Sequence, residues 1–306
     1  RCRPNEKPVV YEANGSQTES IPMMARLRNM TYSAPIYLNF TIIEEGMEIE
    51  EVEEEIGNLP VMVKSMLCNL HRHYLTGEES SDDVYKEGLK AKGEDPQDPG
   101  GYFIVNGTER VLVCLEDLAP NRVMVESEQR YQRQTELAKV FSQREGFRAL
   151  TVVEKKKDGI LQVSIPVASG QVPLAVLMMA LGMESADDIM QSITTDPQMQ
   201  NLILANIEEI HSTEGIYTTQ EALEYMERRF AAGQSKEYRK KRISYILDNT
   251  LLPHLSTTYE ARLKKAVFLG RMAREVLELN RGMRKPDDKD HYANKRLKLA
   301  GNLMEE

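Results

Sequence analysis

The sequence contains no tryptophan, and aromatic residues make up only 6% of its 306 positions. Its three cysteines, Cys2, Cys68 and Cys114, are widely separated and form no Cys-x-x-Cys pair. That spacing argues against a zinc knuckle and a disulfide framework. Isolated thiols fit a reducing, cytoplasmic setting. No apolar run approaches the roughly 20 residues that cross a bilayer. The longest, Val172 to Leu181, is interrupted by Pro173 and followed by Gly182. No N-terminal stretch reads as a signal peptide, so the Asn-x-Ser/Thr triplets at Asn14, Asn29, Asn39 and Asn106 are read as chance. The chain starts at Arg1 with what reads as mid-protein sequence, so a trimmed fragment is expected. Gly-x-x-x-x-Gly-Lys-Ser/Thr and Gly-x-Gly-x-x-Gly are both missing, which removes the common phosphate-cradling loops. Gly-x-Ser-x-Gly is missing too, so nothing marks a Ser–His–Asp nucleophile.

What is present is a globular composition, 41% hydrophobic and 28% charged, over a length that suits two ordinary domains. The net charge of −9 argues against a dedicated nucleic-acid binder. The charge is uneven, however. Residues 1–121 hold 11 Lys/Arg against 22 Asp/Glu, a net of −11, whereas residues 122–306 hold 28 against 26, a net of +2. Such asymmetry suggests two domains with different neighbours, and a boundary is placed at Ala119–Pro120–Asn121.

In the first part, residues 22–43 alternate polar and apolar side chains and predict two strands separated near Ser33–Pro35. The acidic run from Glu44 to Glu55 predicts a solvated loop or sheet edge, since like charges crowd one face of a strand. Residues 59–70 predict a short strand or a turn of helix. Residues 75–99 predict a loop with a weak helix around Asp82–Leu89. Asn106–Gly107 supplies the two positive-φ residues of a type I′ turn, so 102–116 predicts a hairpin. In the second part, residues 149–166 predict a hairpin turning at Asp158–Gly159. Beyond Gly170 the period becomes helical, with candidate helices Pro173–Leu181, Ala186–Ser192, Pro197–His211, Gln220–Ala231, Lys236–Thr250 and Thr258–Asn280. Thr218 and Glu221 form a capping box. In the longest helix Val267, Leu269, Met272, Val276 and Leu277 fit one apolar face. The fold class is therefore α+β: a mixed α/β module followed by a mostly helical module with a β-hairpin sheet.

Five segments, in this order, resemble the second-largest subunit of multisubunit DNA-directed RNA polymerases: ARLRNMTYSAPIYLN (25–39), IGNLPVMVKSMLCNL (56–70), DPGGYFIVNGTERVLVCLEDLAPN (98–121), QSKEYRKKRISYILDNTLLPHL (234–255) and PDDKDHYANKRLKLAG (286–301). The forms LPVMVKS and DDKDHYANKRLKLAG are similar to archaeal members, in which this subunit is often split into two polypeptides, and the chain resembles the N-terminal one. The resemblance implies the first, incomplete part of a protrusion domain over 1–121, a lobe over 122–296, and a return towards the protrusion and fork over 297–306. It implies a non-catalytic part of a nucleotidyltransferase, lining the DNA cleft. The implied partners are the other polymerase subunits, above all the rest of the second-largest subunit and the largest subunit, with DNA and transcription factors, and no membrane. The Mg²⁺ of the parent enzyme is implied to be held by other parts of the complex, with no cofactor, metal ligand or catalytic residue in this chain. The alternative function is a docking module for initiation or elongation factors, or for a polymerase-binding inhibitor.

Three basic groups are candidates for DNA contact. Lys236, Arg239, Lys240, Lys241 and Arg242 crowd a helix start and would contact phosphate without reading sequence; the competing reading is a solvated helix face. Lys155, Lys156 and Lys157 precede a hairpin turn, where a solvated turn competes. Lys295, Arg296 and Lys298 form the third group. Asp287, Asp288 and Asp290 could hold Mg²⁺ through oxygen, but surrounding basic residues favour an ion-pair cluster. His71 and His73 could be a metal pair, without a nearby third ligand.

Overall fold

The computed structural model describes residues 2–4, 7–44, 47–77, 81–130, 133–165 and 170–305, and within them every strand pairing is antiparallel. The chain divides into two compact units, Arg1–Val113 and Cys114–Glu306. With helices and antiparallel sheets both present, the fold class is α+β.

The first unit begins with β1 (Cys2–Pro4), β2 (Val9–Tyr11), β3 (Gln17–Glu19) and α1 (Pro22–Leu27). There follow β4 (Ser33–Glu44), β5 (Met47–Pro60), α2 (Arg72–Leu75), α3 (Asp82–Ala91), β6 (Phe103–Val105) and β7 (Thr108–Arg110). The segment at 22–27, expected as a strand, is a helix. Pro22 at its first position loses no helical bond and presets φ, and only Pro22 and Ala25 need burial. The acidic run is not a loop. It forms β5, the last strand in the order β1–β4–β5. Glu53, Glu54 and Glu55 pair in register with Asn39, Leu38 and Tyr37 and remain exposed, so pairing desolvates no carboxylate. The edge half of that expectation stands, and residues 45–46 of the run lie outside the described residues. Residues 61–71 are turns rather than strand. Their core comes from Val61, Val63, Cys68 and Leu70 packing around Tyr32, Leu89 and Ile104. The expected Asn-Gly turn joins β6 to β7, with φ of 51° at Asn106 and 75° at Gly107.

The second unit opens with β8 (Leu115–Leu118), β9 (Val123–Arg130), β10 (Arg133–Arg144), β11 (Phe147–Lys155), β12 (Leu161–Ser164) and β13 (Gln171–Pro173). Residues 111–114, expected to continue the second strand of the hairpin, leave it, and β8 pairs instead with β14 (Lys295–Lys298). The strands β9 to β13 form one sheet in reverse chain order. Then come α4 (Leu174–Ala180), α5 (Ala186–Ile193), α6 (Pro197–Glu214), α7 (Thr219–Phe230), α8 (Lys236–Tyr245), α9 (Arg262–Asn280) and, after β14, α10 (Ala300–Glu305). All seven residues of α4 are buried, because β12, β13, α6, α7 and α9 surround it. Each of its large apolar side chains contributes roughly 1.5–3 kcal/mol by leaving water. Helix α9 lies against β9, β10 and β11 with Leu269, Met272 and Val276 fully buried. Val267, expected on that apolar face, is half exposed, and Lys265 takes a buried position instead.

Candidate nucleic-acid interface

Helix α8 is started by Ser235, whose hydroxyl accepts from the Tyr238 N–H at 3.4 Å. Of the five basic residues read from the sequence, Lys236, Lys240 and Lys241 are exposed, and Arg239 and Arg242 are half-buried. None of the five has a carboxylate within ion-pair distance among the described residues, and Arg239 Nε is buried with no hydrogen-bond partner. The helix also carries Tyr238 and Tyr245, both about half exposed. They lie seven residues apart, two turns along one face, with Lys241 and Arg242 between them on neighbouring turns.

The expected helix to Thr250 does not continue as α-helix. It passes at Ile246 into a π-helical turn, Ile246–Thr250, closed by the Leu251 N–H donating to the Ile246 carbonyl at 2.9 Å. The wider turn is pinned from α9. Lys265 is fully buried, and its ammonium donates to the carbonyls of Leu247 at 2.8 Å and Asp248 at 2.6 Å. Burial pushes its pKa down to about 8, partly opposed by the carboxylate of Asp248. Arg262 grips that carboxylate with two bonds of 2.6 and 2.7 Å, and such bidentate pairs fix orientation as well as position. Downstream, Leu252 and Ser256 have φ of 46° and 102°. His254 between them is held by buried Ser142, whose Oγ is 2.7 Å from His254 Nδ1. Burial lowers the pKa of His254, and Lys265 lowers it further. Beside this turn lies a cleft of about 320 Å³ lined by Arg144, Glu145, Phe147, Tyr245, Asn249, Pro253 and Thr257.

The other basic groups are engaged locally. Lys155 donates to Asn280 Oδ1 at 2.6 Å, and Lys156 pairs with buried Glu154 at 2.9 Å, which leaves Lys157 exposed at the turn. Lys295 pairs with Glu116 at 2.5 Å and Lys298 lies 3.7 Å from Asp117. The Glu116 bond raises the pKa of Lys295. Arg296 donates to the carbonyls of Ala293 and Lys295. These bonds lie where β14 and β8 pair, so the third group ties the unit together. The structure does not bring the three groups into one cluster through any described bond.

The carboxylates of 287–290 do not fit a Mg²⁺ site. Arg284 binds both oxygens of Asp287 at 2.9 and 3.0 Å, and the Val125 N–H adds a bond of 2.8 Å. Asp288 accepts the Asp290 N–H at 2.9 Å, and Asp290 faces Lys295 at 3.9 Å. His71 spends Nδ1 on the His73 N–H at 3.3 Å. Sequence reasoning missed the aromatic pair on α8 and the buried clamp at Lys265. The seven-residue spacing of the tyrosines was the available signal for the first, whereas a lysine in a helix carries none for burial.

Residues 119–298 match the family model of RNA polymerase Rpb2, domain 2, and the chain belongs to that family. Among curated proteins it is similar to DNA-directed RNA polymerase subunit Rpo2N of Methanocaldococcus jannaschii, with 49% identity over 98% of this chain and 59% of the relative. Subunit Rpo2N of Halobacterium salinarum is 44% identical over 98% of this chain and 56% of its own length. Subunit Rpo2 of Saccharolobus solfataricus is 43% identical over 97% of this chain but 25% of its own length. The chain thus spans somewhat over half the length of the split-subunit relatives. The resemblance carried by the five sequence segments is confirmed, and it is to archaeal proteins. No helix among the described residues is long and apolar enough to cross a membrane.

Proposed function

We propose that this chain is the non-catalytic N-terminal part of the second-largest subunit in an archaeal DNA-directed RNA polymerase, where it forms a wall of the DNA cleft. In this reading residues 1–121 act as the first part of a protrusion, 122–296 as a lobe and 297–306 as the return towards the protrusion and fork. Its partners are the rest of the second-largest subunit, the largest subunit, DNA and transcription factors. In this reading the nucleotidyl transfer and its Mg²⁺ belong to other parts of the complex, and the engagement of Asp287 by Arg284 and the Val125 N–H supports it.

The observation that carries the DNA contact is the basic start of α8. Lys295 and Lys298 at β14, and Lys155 and Lys156 before the β11–β12 turn, have nearby acceptors, which leaves Lys157 as a single exposed cation there. The α8 group has no carboxylate partner among the described residues, and unpaired exposed cations are what a phosphate backbone recruits. Lys236→Glu, Lys240→Glu and Lys241→Glu combined, in the assembled polymerase, are expected to weaken DNA binding at low salt. The slope of log affinity against log salt should fall by roughly 0.9 for each duplex phosphate that is no longer neutralised. Unchanged affinity and slope would refute the role of α8.

A further inference from the structure

We propose that the end of α8 and the cleft beside it form a stacking platform for single-stranded nucleic acid, with an unpaired base seated between Tyr245 and Phe147. This rests on the nucleic-acid reading of α8 and names the form of the ligand. Three observations converge on it. First, Tyr238 and Tyr245 are 47% and 58% exposed, although the core of the second unit lies close by with Ile243 and Ile246 fully covered. Large rings left in water on a helix that also carries unpaired cations match the chemistry of strands whose bases are splayed and whose phosphates are charged. A duplex offers phosphates but no open base faces.

Second, the cleft has an aromatic lining. Phe147, 47% exposed, lines it together with Tyr245, so two rings border a volume of about 320 Å³. Asn249 supplies an amide with both donor and acceptor capacity for a base edge. Arg144 and exposed Glu145 both line the cleft and pair with each other at 3.2 Å, so the guanidinium can exchange this exposed carboxylate for a phosphate. The apolar rings and the amide suit any base, which predicts weak sequence preference.

Third, the platform is held rigid from beneath. Asn249 belongs to the π turn that Lys265 and Arg262 fix through Leu247 and Asp248. Pro253, which also lines the cleft, is next in sequence to His254, which Ser142 anchors. A stacking site arranged before the ligand arrives avoids the ordering cost that a mobile loop would carry.

The test uses the full chain and two probes of equal length, a fluorescent oligothymidine and a random-sequence duplex, titrated by anisotropy. Tyr245→Ala and Phe147→Ala are each expected to lower oligothymidine affinity about tenfold, within the range for loss of one base–aromatic stack, and to leave duplex affinity unchanged. Tyr245→Phe keeps the ring and should bind as wild type. Both rings are half exposed, so the alanine variants should fold, and an unchanged circular dichroism melt verifies this. The proposal is overturned if the alanine variants bind oligothymidine like wild type, if they lose both probes equally, or if the wild-type chain binds no oligothymidine. Loss of a transcription factor by Tyr245→Ala with oligothymidine binding intact would assign the cleft to protein docking and also overturn it. The Lys240→Glu, Lys241→Glu variant separates the two readings. If it lowers affinity for both probes while the ring variants do not, only the stacking fails. If it changes neither probe, the nucleic-acid reading of α8 fails as well.

Discussion

The ammonium of Lys265 lies 2.6 Å from the carbonyl oxygen of Asp248, inside the second unit, with no part of the lysine exposed. A buried cation is tolerated there because a π turn presents successive carbonyls towards it. The folded chain therefore releases this proton near pH 8, whereas an unfolded chain holds it to the ordinary 10.5. Between these values the unfolded state binds more protons, so stability rises with pH. The contribution is complete above 10.5 and is lost as pH falls through 8. Urea midpoints measured across this window should climb in the wild type relative to Lys265→Met. Parallel pH profiles for the two proteins would refute the assignment.

In the first unit, fully buried Tyr32 accepts the Asn69 N–H at 3.0 Å and donates to Cys68 Sγ at 3.4 Å. Asn69 in turn donates to the carbonyls of Pro8 and Ser20. Tyr32→Phe keeps the ring and strands the Asn69 donor, which costs about 1–3 kcal/mol. Denaturant unfolding of the variant should show that loss, and an unchanged midpoint would mean the phenol bonds add nothing.

Thr218 accepts the Glu221 N–H at 3.3 Å while the Glu221 carboxylate accepts from Thr218 and Tyr217 at 3.0 and 2.8 Å. Thr218→Ala should cost about 1 kcal/mol. Thr218→Ser, which keeps the hydroxyl, should recover most of it in the same unfolding measurement.

A methyl at Gly107 would stand 2.7 Å from Asn29 Oδ1 and 2.8 Å from Asn29 Cα, at φ +75°. Gly159 has a similar φ of +85° with open space around it. Gly159→Ala should lower the melting temperature through backbone strain alone, about 1–2 kcal/mol. Gly107→Ala should lower it further, because the neighbouring backbone must also move. Equal losses would show that the Asn29 approach is slack.

The elements legible in the sequence are those that a local rule decides. The Asn106–Gly107 and Asp158–Gly159 turns, the Thr218 capping box and the helices from α4 to α9 follow from φ preference, capping chemistry and periodicity. Elements decided by a distant partner were not legible. Glu53–Glu55 looked unfit for a strand until β4 supplied a ladder that leaves them in water. Residues 123–144 gave no strand reading because Glu, Gln and Arg interrupt the alternation of β9 and β10, although Lys139 neutralises Glu126 across the pair at 3.0 Å. Val267 left its expected apolar face, and Lys265 is buried because the π turn, which no local pattern announces, offers carbonyls to a lysine. Of the candidate interface, the cations were legible, but only side-chain placement distinguished the unpaired ones on α8 from those bound to Glu116, Glu154 and Asp117.

The order of the large sheet, β13–β12–β11–β10–β9, has a kinetic consequence. Each strand lies beside its immediate chain neighbour, with only a few residues of sequence between partners, so little loop entropy opposes zipping. The β8–β14 pair is the opposite case, since Leu118 meets Lys295 only after the intervening helices have been made. During synthesis the meander can assemble as it leaves the ribosome, and the β14 strand arrives only after α9, to latch onto β8.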